Sequence, residues 1–216
     1  MFTHFRRQQP VRETTTGGII VLPEPDRESK TSLEKALQDR RSIRSYSDQA
    51  LALAEVGQLL WAAQGVNRPG GYRTAPSAGA LYPLEIYLLA GQVEDLAAGL
   101  FHYLPENHAL EHVWSGDRQV SLSEAALGQD SIARAPAVIV IAAIYQRTKG
   151  KYGQRGERYV HMEAGSAAQN IYLQAVSLEL GTVFIGAFYD EQVQNVLGLS
   201  KDEIPLCLMP VGHPDE

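Results

Sequence analysis

The stretch APAVIVIAAIY, residues 135–145, is the most apolar part of the chain and decides which folds are open to it. It is about half as long as the ~20 residues that a helix needs to cross a bilayer. Its Val and Ile content is typical of a strand that is buried on both faces. We therefore expect a strand over 136–144, in the interior of a globular domain.

Helical and strand patterns alternate on both sides of this stretch. Helices are predicted at 32–40, 53–64, near 121–128, 159–180 and 191–198. Strands are predicted for LEIYLLAG, for both sides of the turn PENH, for TVFIGAF and for PLCLMPVG. Thr31 and Glu34 have capping-box spacing, Gly65 and Gly181 end two helices, and Asp190 caps the last helix. Two segments are predicted to be loops: 66–83, rich in Gly and Pro, and 145–158, rich in charge.

Composition excludes several classes of protein. The 216 residues are 44% hydrophobic, which is typical of a globular chain, and they carry a net charge of −6. This charge repels nucleic acid and anionic membranes, so we expect neither as a partner. The N-terminus lacks the apolar segment of a signal peptide, and we expect a cytoplasmic protein. Residues 1–30 are interpreted as an N-terminal arm, and 31–216 as one domain.

Familiar site motifs are missing from the sequence. It contains no GxGxxG, no phosphate loop of the GxxxxGK[ST] type and no Gly-x-Ser-x-Gly elbow. His108 and His112 have the i, i+4 spacing of a zinc protease, but they lie in a predicted hairpin, and no metal site is expected. Cys207, the one cysteine, excludes an internal disulfide and a cysteine cluster. Its apolar surroundings indicate a buried side chain.

The segment RRSIRSY, residues 40–46, concentrates positive charge in this acidic chain. Arg40, Arg41 and Arg44, together with the Ser42 hydroxyl, could saturate the oxygens of one phosphate group. Alternatively, these arginines could be solvated, or could interact with the C-terminal dipole of the preceding helix. The segment alone does not decide between these interpretations.

Two further segments favour a flat ligand. APSAGALYP, residues 75–83, has small side chains at 77–80, which allow the backbone to approach a ring closely. Pro76 and Pro83 stiffen the two ends of this loop. In VFIGAF, Gly186 interrupts an apolar strand, as expected where backbone lies against a ring system.

In their order and spacing, RRSIRSY, APSAGALYP, HMEAGSAAQNIYLQA and IGAFYD resemble the FMN-dependent nitroreductase superfamily. The resemblance covers roughly residues 32–214, and it is most marked to the azoline dehydrogenases, which oxidise thiazolines and oxazolines in peptides. It implies an α+β fold with a central mixed β-sheet flanked by helices. It also implies a homodimer with FMN in each of two interface sites.

The resemblance assigns roles to particular residues. Four of them are expected to hold the FMN phosphate, namely Arg40, Arg41, Ser42 and Arg44. Ser77, Ala78, Gly79 and Leu81 are expected to face the flavin across the dimer interface. Gly186 is expected to contact the ring, and Gln129 its polar edge. Related nitroreductases have a further basic pair near the C-terminus, where this chain offers only His213.

KGKYGQRGERY resembles the Lys-Tyr motif of azoline dehydrogenases and places it on Lys151 and Tyr152. A Lys or Tyr can act as the general base when a ring carbon loses its proton and a hydride leaves for the flavin. A solvated basic loop is the alternative interpretation. Three functions remain open: an azoline dehydrogenase, an NAD(P)H-dependent nitro- or quinone reductase, and a flavin-binding protein without turnover.

Overall fold

The alternating pattern produces an α+β domain, which the computed structural model describes for residues 18–215. The helices are α1 (Leu33–Asp39), α2 (Leu53–Gln64), α3 (Gln119–Ala125), α4 (Asp130–Arg134), α5 (Tyr145–Tyr152), α6 (Arg155–Ser177) and α7 (Asp190–Leu197). The strands are β1 (Ile19–Val21), β2 (Val66–Arg68), β3 (Tyr72–Arg73), β4 (Leu84–Ala90), β5 (Gly99–Leu104), β6 (Ala109–Ser115), β7 (Ala137–Ile144), β8 (Gly181–Thr182) and β9 (Glu203–Gly212).

Seven of these strands form one sheet in the order β1-β6-β5-β4-β7-β9-β8, while β2 and β3 pair separately. Within residues 18–215, every strand pair of this sheet is antiparallel, where a mixed sheet was predicted. Neighbouring strands therefore run in opposite directions, and the end of one lies beside the start of the next. The α+β class and a central sheet flanked by helices are confirmed.

Strand β7 is buried on both faces, as its Val and Ile content predicts. Ile139 and Ile141 lie in one hydrophobic core, together with α2 and α6. Val138 and Val140 lie in a second core on the opposite face, against α3, α4 and α7. Alternation of side chains along the strand divides the run between the two cores. Cys207 on the neighbouring β9 is buried in the first of them, as expected.

The segment 145–158 is helical, so the prediction of a charged loop was wrong. It contains α5 and the first turn of α6, which meet in a tight corner. A Cβ atom added to Gly156 would lie 2.9 Å from the backbone nitrogen of Lys149, and Lys149 Nζ lies 2.6 Å from Glu157 Oε1. Close packing and an ion pair, both tertiary contacts, stabilise α5, which has little apolar periodicity of its own.

Several boundaries also differ from the predictions. Helix α6 spans Arg155–Ser177 where 159–180 was predicted, and Gly181 lies in β8 instead of ending the helix. Ser32 caps α1 by accepting a hydrogen bond from the Lys35 N–H, where Thr31 was predicted to do so. Tyr189 occupies the N-cap of α7, and Asp190 lies inside its first turn. The predicted strand 182–188 is reduced to β8 and a single bridge from Ile185 to Leu208, because the Phe184 N–H bonds to the Tyr172 hydroxyl.

Part of the predicted N-terminal arm joins the sheet. Residues 1–17 lie outside the described residues, but β1 pairs with β6 at the edge of the sheet. Further along, Gln58 of α2 fixes the backbone of Asp26 with two hydrogen bonds, at 2.8 and 2.9 Å. Among the described helices, none combines the length and the apolar content needed to span a membrane.

Candidate functional site

The antiparallel pairing of β4 with β7 brings two predicted site segments together. Leu84, the first residue of β4, is paired with Ala143 at the end of β7. The pairing extends one step further, since Ile144 donates its N–H to the Pro83 carbonyl at 2.8 Å. The loop before β4 and the helix α5 after β7 therefore emerge side by side.

Gly79 of the loop lies directly against Lys151 and Tyr152 of α5. A Cβ atom added to Gly79 would lie 2.8 Å from the Tyr152 hydroxyl and 3.0 Å from Lys151 Nζ. The Tyr152 ring is half-buried and packs edge-on against Tyr159, with 5.1 Å between the ring centroids. The structure thus brings both candidate catalytic side chains to the backbone that was predicted to face a flavin.

The loop itself has an unusual backbone. A 3-10 turn spans Ala78–Ala80, and φ is positive at Gly79 (+65°), Ala80 (+53°) and Tyr82 (+44°). Two of these residues are not glycine, and such conformations persist only where the surroundings impose them. Ser77 supplies one restraint, because its hydroxyl oxygen accepts the Tyr82 N–H at 2.9 Å. Gly79 and Ala80 are exposed, so this backbone is accessible to a ligand.

Arginines 40, 41 and 44 lie in a segment that is anchored to α6 and β8. The Ser42 hydroxyl lies 3.0 Å from the Tyr172 hydroxyl, and the Arg40 guanidinium lies over the Tyr172 ring, 5.1 Å from its centroid. Ile43 donates its N–H to the Thr182 carbonyl at 2.9 Å. One backbone hydrogen bond and two side-chain contacts to Tyr172 thus fix the segment, and Arg41 and Arg44 stay exposed.

The charge of this cluster is not neutralised by the protein. Arg41 and Arg44 are exposed, and within residues 18–215 none of the three arginines forms an ion pair. His213 is the other candidate cation, and its Nε2 lies 3.7 Å from Glu55 Oε2. Three guanidinium groups without a partner carboxylate, next to the Ser42 hydroxyl, fit a phosphate group.

Gly186 and Gln129 lie near each other at the end of β8. Gln129 donates from Nε2 to the Ala187 carbonyl at 3.1 Å and to the Ala126 carbonyl at 3.1 Å. Gly186 is exposed, and a Cβ atom there would lie 3.4 Å from the Phe184 ring. The backbone at 186 therefore allows a close approach from outside, and the Gln129 amide borders it.

Within one chain, residues 40–46 (the arginine segment) and residues 75–83, the loop expected to face the flavin (the flavin loop), stay apart. The first contacts α6 at Tyr172, and the second faces it at Glu163, nine residues earlier, which corresponds to about 13 Å along the helix axis. A groove of about 620 Å³ lies elsewhere, between residues 24–33, α2 and α6, and none of the predicted site residues lines it. The candidate site is an open surface in the single chain.

Sequence reasoning missed several residues around this surface. Glu163 is buried under the loop, and its position beside Val160 and Ala164 in the apolar stripe of α6 is a signal that could have revealed it. Arg147 on α5 donates to the Tyr82 carbonyl at 3.0 Å and pairs with Glu85. That pairing and the His102 ring hold the pKa of Glu85 below its usual value in spite of burial.

Comparison with known proteins identifies the family. The model of the nitroreductase family matches residues 37–213. A protein of Methanocaldococcus jannaschii described as a nitroreductase is 46% identical over 200 residues, which cover 93% of this chain and all of that protein. A crystal structure of a Ralstonia eutropha protein, also described as a nitroreductase, superposes with a TM-score of 0.82 at 34% identity, over 92% of this chain and 90% of that one.

Two more distant relatives have names that indicate chemistry. The microcin B17-processing protein McbC of Escherichia coli is 34% identical over 77% of this chain and 64% of its own length. An NAD(P)H-dependent FMN reductase of Bacillus subtilis is 28% identical over 83% of this chain and 65% of its own length. This chain therefore spans about two thirds of each of them.

These matches confirm the expected cofactor and the class of reaction. The segments that carried the resemblance lie inside the matched range, and the surface described above offers an anion cluster and an accessible glycine backbone. The chain belongs to the nitroreductase family and is an FMN-dependent oxidoreductase.

Proposed function

We propose that this protein oxidises azoline rings, in the manner of an azoline dehydrogenase, with FMN as its cofactor. The observation that carries the proposal is the contact of Lys151 and Tyr152 with Gly79. It places two potential proton acceptors at the edge of the backbone on which the flavin is expected to lie. The 34% identity to the microcin-processing protein supports the same choice of substrate class.

In this proposal, Arg40, Arg41, Ser42 and Arg44 bind the FMN phosphate. The backbone of Ser77–Leu81 lies against the flavin ring, Gly186 contacts it from another side, and Gln129 reaches its polar edge. When bound, FMN supplies a two-electron acceptor for the hydride that leaves the azoline. The residues named here bind FMN, and they leave the rest of the open surface accessible.

Lys151 and Tyr152 perform the proton chemistry. Conversion of an azoline to an azole removes one hydride and one proton from ring carbons. The hydride goes to the cofactor, and the proton goes to one member of the Lys151–Tyr152 pair, while the other orients the ring. Lys151 is exposed and can exchange its proton with water, which resets the pair for the next turnover.

A homodimer completes the site. Because the arginine segment and the flavin loop lie about 13 Å apart along α6 within one chain, a second chain can cover the ring from the open side. Exposed apolar side chains lie on α1 and near β8, including Leu33, Leu37 and Phe184. We infer that they become buried in the dimer.

A nitro- or quinone reductase is the second candidate, supported by the relative that is named as an NAD(P)H-dependent FMN reductase. The two candidates differ in their product. Under air, the FMN-loaded protein should convert a synthetic thiazoline to a thiazole, which mass spectrometry detects as the loss of two hydrogens. Conversion only of nitroaromatics or quinones, and only with NADH or NADPH, would establish the reductase instead.

A further inference from the structure

Glu163 is a buried carboxyl group without a partner. Its side chain is 4% exposed, and neither carboxylate oxygen accepts a hydrogen bond within residues 18–215. A buried, unpaired carboxylate is costly, and a group of this kind persists where it has a task. Glu163 lies on α6 and faces the inner side of the loop that contains Gly79.

The groups around Glu163 belong mainly to that loop. The Ser77 hydroxyl and the Ala78 N–H face the carboxylate without reaching hydrogen-bond geometry, and they favour its ionised form. The positive charge of Arg73 on β3 also favours the ionised form of Glu163. The Arg73 guanidinium donates a hydrogen bond to Gln64 Oε1 and lies over the Tyr82 ring. The Ser77 oxygen already accepts the Tyr82 N–H, so its own proton is free to point towards Glu163.

We propose that Glu163 is a positioning residue of the flavin loop, whose carboxylate draws the Ser77 hydroxyl and the Ala78 N–H and so imposes the strained backbone of 79–82. The inference rests on the proposed FMN site. Glu163 then faces Ser77 and Ala78 of the same short backbone segment whose Gly79 lies against Lys151 and Tyr152. Protonation of Glu163 removes the negative charge that draws these two donors, and the segment relaxes away from the shape that fits the ring.

The environment places this change within the physiological pH range. Burial raises the pKa of Glu163 to about 7, against the opposing effects of Ser77, Arg73 and Ala78. The carboxylate form therefore increases as the pH rises through 7, and FMN should bind more tightly at pH 8 than at pH 6. The coupling expected for one local contact is roughly five- to tenfold in affinity.

The test compares FMN affinity between pH 6 and pH 8.5 for the wild type, Glu163→Gln and Glu124→Gln, followed by quenching of flavin fluorescence. Glu124 is an exposed carboxylate on α3 and serves as the matched control. The FMN phosphate ionises near pH 6 and affects all three proteins alike, so the difference between the profiles is the readout. We expect the FMN affinity of the wild type and of the control to rise in a step near pH 7. We expect this step to be absent in Glu163→Gln.

Identical profiles for the wild type and Glu163→Gln would overturn the proposal. If Glu163→Gln does not fold, Ser77→Ala removes the facing hydroxyl instead and should shrink the same step. A second readout needs no flavin: the amide signals of Ala78 and Gly79 should titrate near pH 7 in NMR spectra of the wild type. If FMN does not bind to any of the proteins, the proposed function fails, and the amide titration still decides the role of Glu163.

Discussion

Ile144 donates its backbone N–H to the carbonyl of Pro83 at a distance of 2.8 Å, and this bond closes the corner on which the site is built. It continues the antiparallel pairing of β4 and β7 beyond Leu84 and Ala143. The loop before one strand and the helix after the other are thereby fixed together. The contact between Gly79 and the Lys151–Tyr152 pair follows from this pairing.

Removal of one arginine should weaken FMN binding without affecting the fold. Arg44→Ala removes one charge-assisted contact to the phosphate, so the binding free energy should fall by roughly 1.5–3 kcal/mol. Titration of the apoprotein with FMN measures this change. Arg134→Ala, at an exposed position on α4, is the control and should bind FMN like the wild type. An unchanged affinity in Arg44→Ala would mean that the cluster is merely solvated.

Loss of the proton acceptors should affect turnover and leave the cofactor in place. Lys151→Ala and Tyr152→Phe should stay yellow, but should oxidise thiazolines about 10²- to 10⁴-fold more slowly, the usual contribution of a positioned proton acceptor. Steady-state rates together with the flavin absorbance spectrum distinguish the two effects. Lys201→Ala, in the exposed turn before β9, is the control. Wild-type rates in the double variant, Lys151→Ala with Tyr152→Phe, would indicate that α5 is only a solvated surface.

Glycine should be required at position 79 both for the positive φ of the backbone and for the close contact with Tyr152. Gly79→Ala adds a Cβ atom 2.8 Å from the Tyr152 hydroxyl, at a φ of +65°. Gly128→Ala is a matched control, since it has a φ of +73° and no neighbouring atom within 4 Å. Both variants should lose a similar stability of about 1 kcal/mol. Only Gly79→Ala should also lose turnover, and equal turnover in the two variants would contradict the proposed contact.

Glu163 should make stability depend on pH. The pKa of Glu163 is about 7 in the folded protein, above its reference value of 4.5. Protonation of Glu163 therefore stabilises the folded state. This contribution to the free energy of unfolding is fully present below pH 4.5 and is lost as the pH rises through 7. Without FMN, Glu163→Gln should therefore be more stable than the wild type at pH 8, by roughly 1–3 kcal/mol. Urea unfolding at pH 5 and pH 8 measures the difference. An equal gain at both pH values would contradict a titrating carboxyl group.

The proposed dimer predicts a mass of two chains in solution. An interface that completes two flavin sites should be of the obligate kind and should bury more than about 2,000 Å² in total. Light scattering at micromolar concentration measures the mass of the FMN-loaded protein. A monomer that retains FMN would show that one chain encloses the cofactor.

The sequence predicted the elements whose own pattern is strong. Helix α2 was predicted at its observed bounds, 53–64, because Leu53, Val56 and Leu60 recur at helical spacing and Gly65 ends the pattern. Strand β7 was predicted to within one residue, since its apolar run admits few alternatives. The segments of the candidate site were proposed because their Arg, Ser and Gly residues have distinctive chemistry.

The remaining features depend on tertiary contacts, which leave little trace in local sequence. Helix α5 is stabilised by the Gly156 corner and by Glu157 of the next helix, so its charged sequence resembled a loop. The contact of Gly79 with Tyr152 depends on the register of β4 with β7. The role of Glu163 depends on the loop that covers its side chain on α6. Strand order and packing determine all three.

FMN on this surface should accept electrons from an azoline ring, and an experiment without oxygen measures this transfer. FMN-loaded protein is mixed anaerobically with a synthetic thiazoline in a stopped-flow instrument, and flavin absorbance is followed, with NADH and NADPH in parallel runs. The thiazoline alone should bleach the flavin, and Tyr152→Phe should slow this bleaching. Rapid bleaching by NADH or NADPH, with none by the thiazoline, would contradict this expectation.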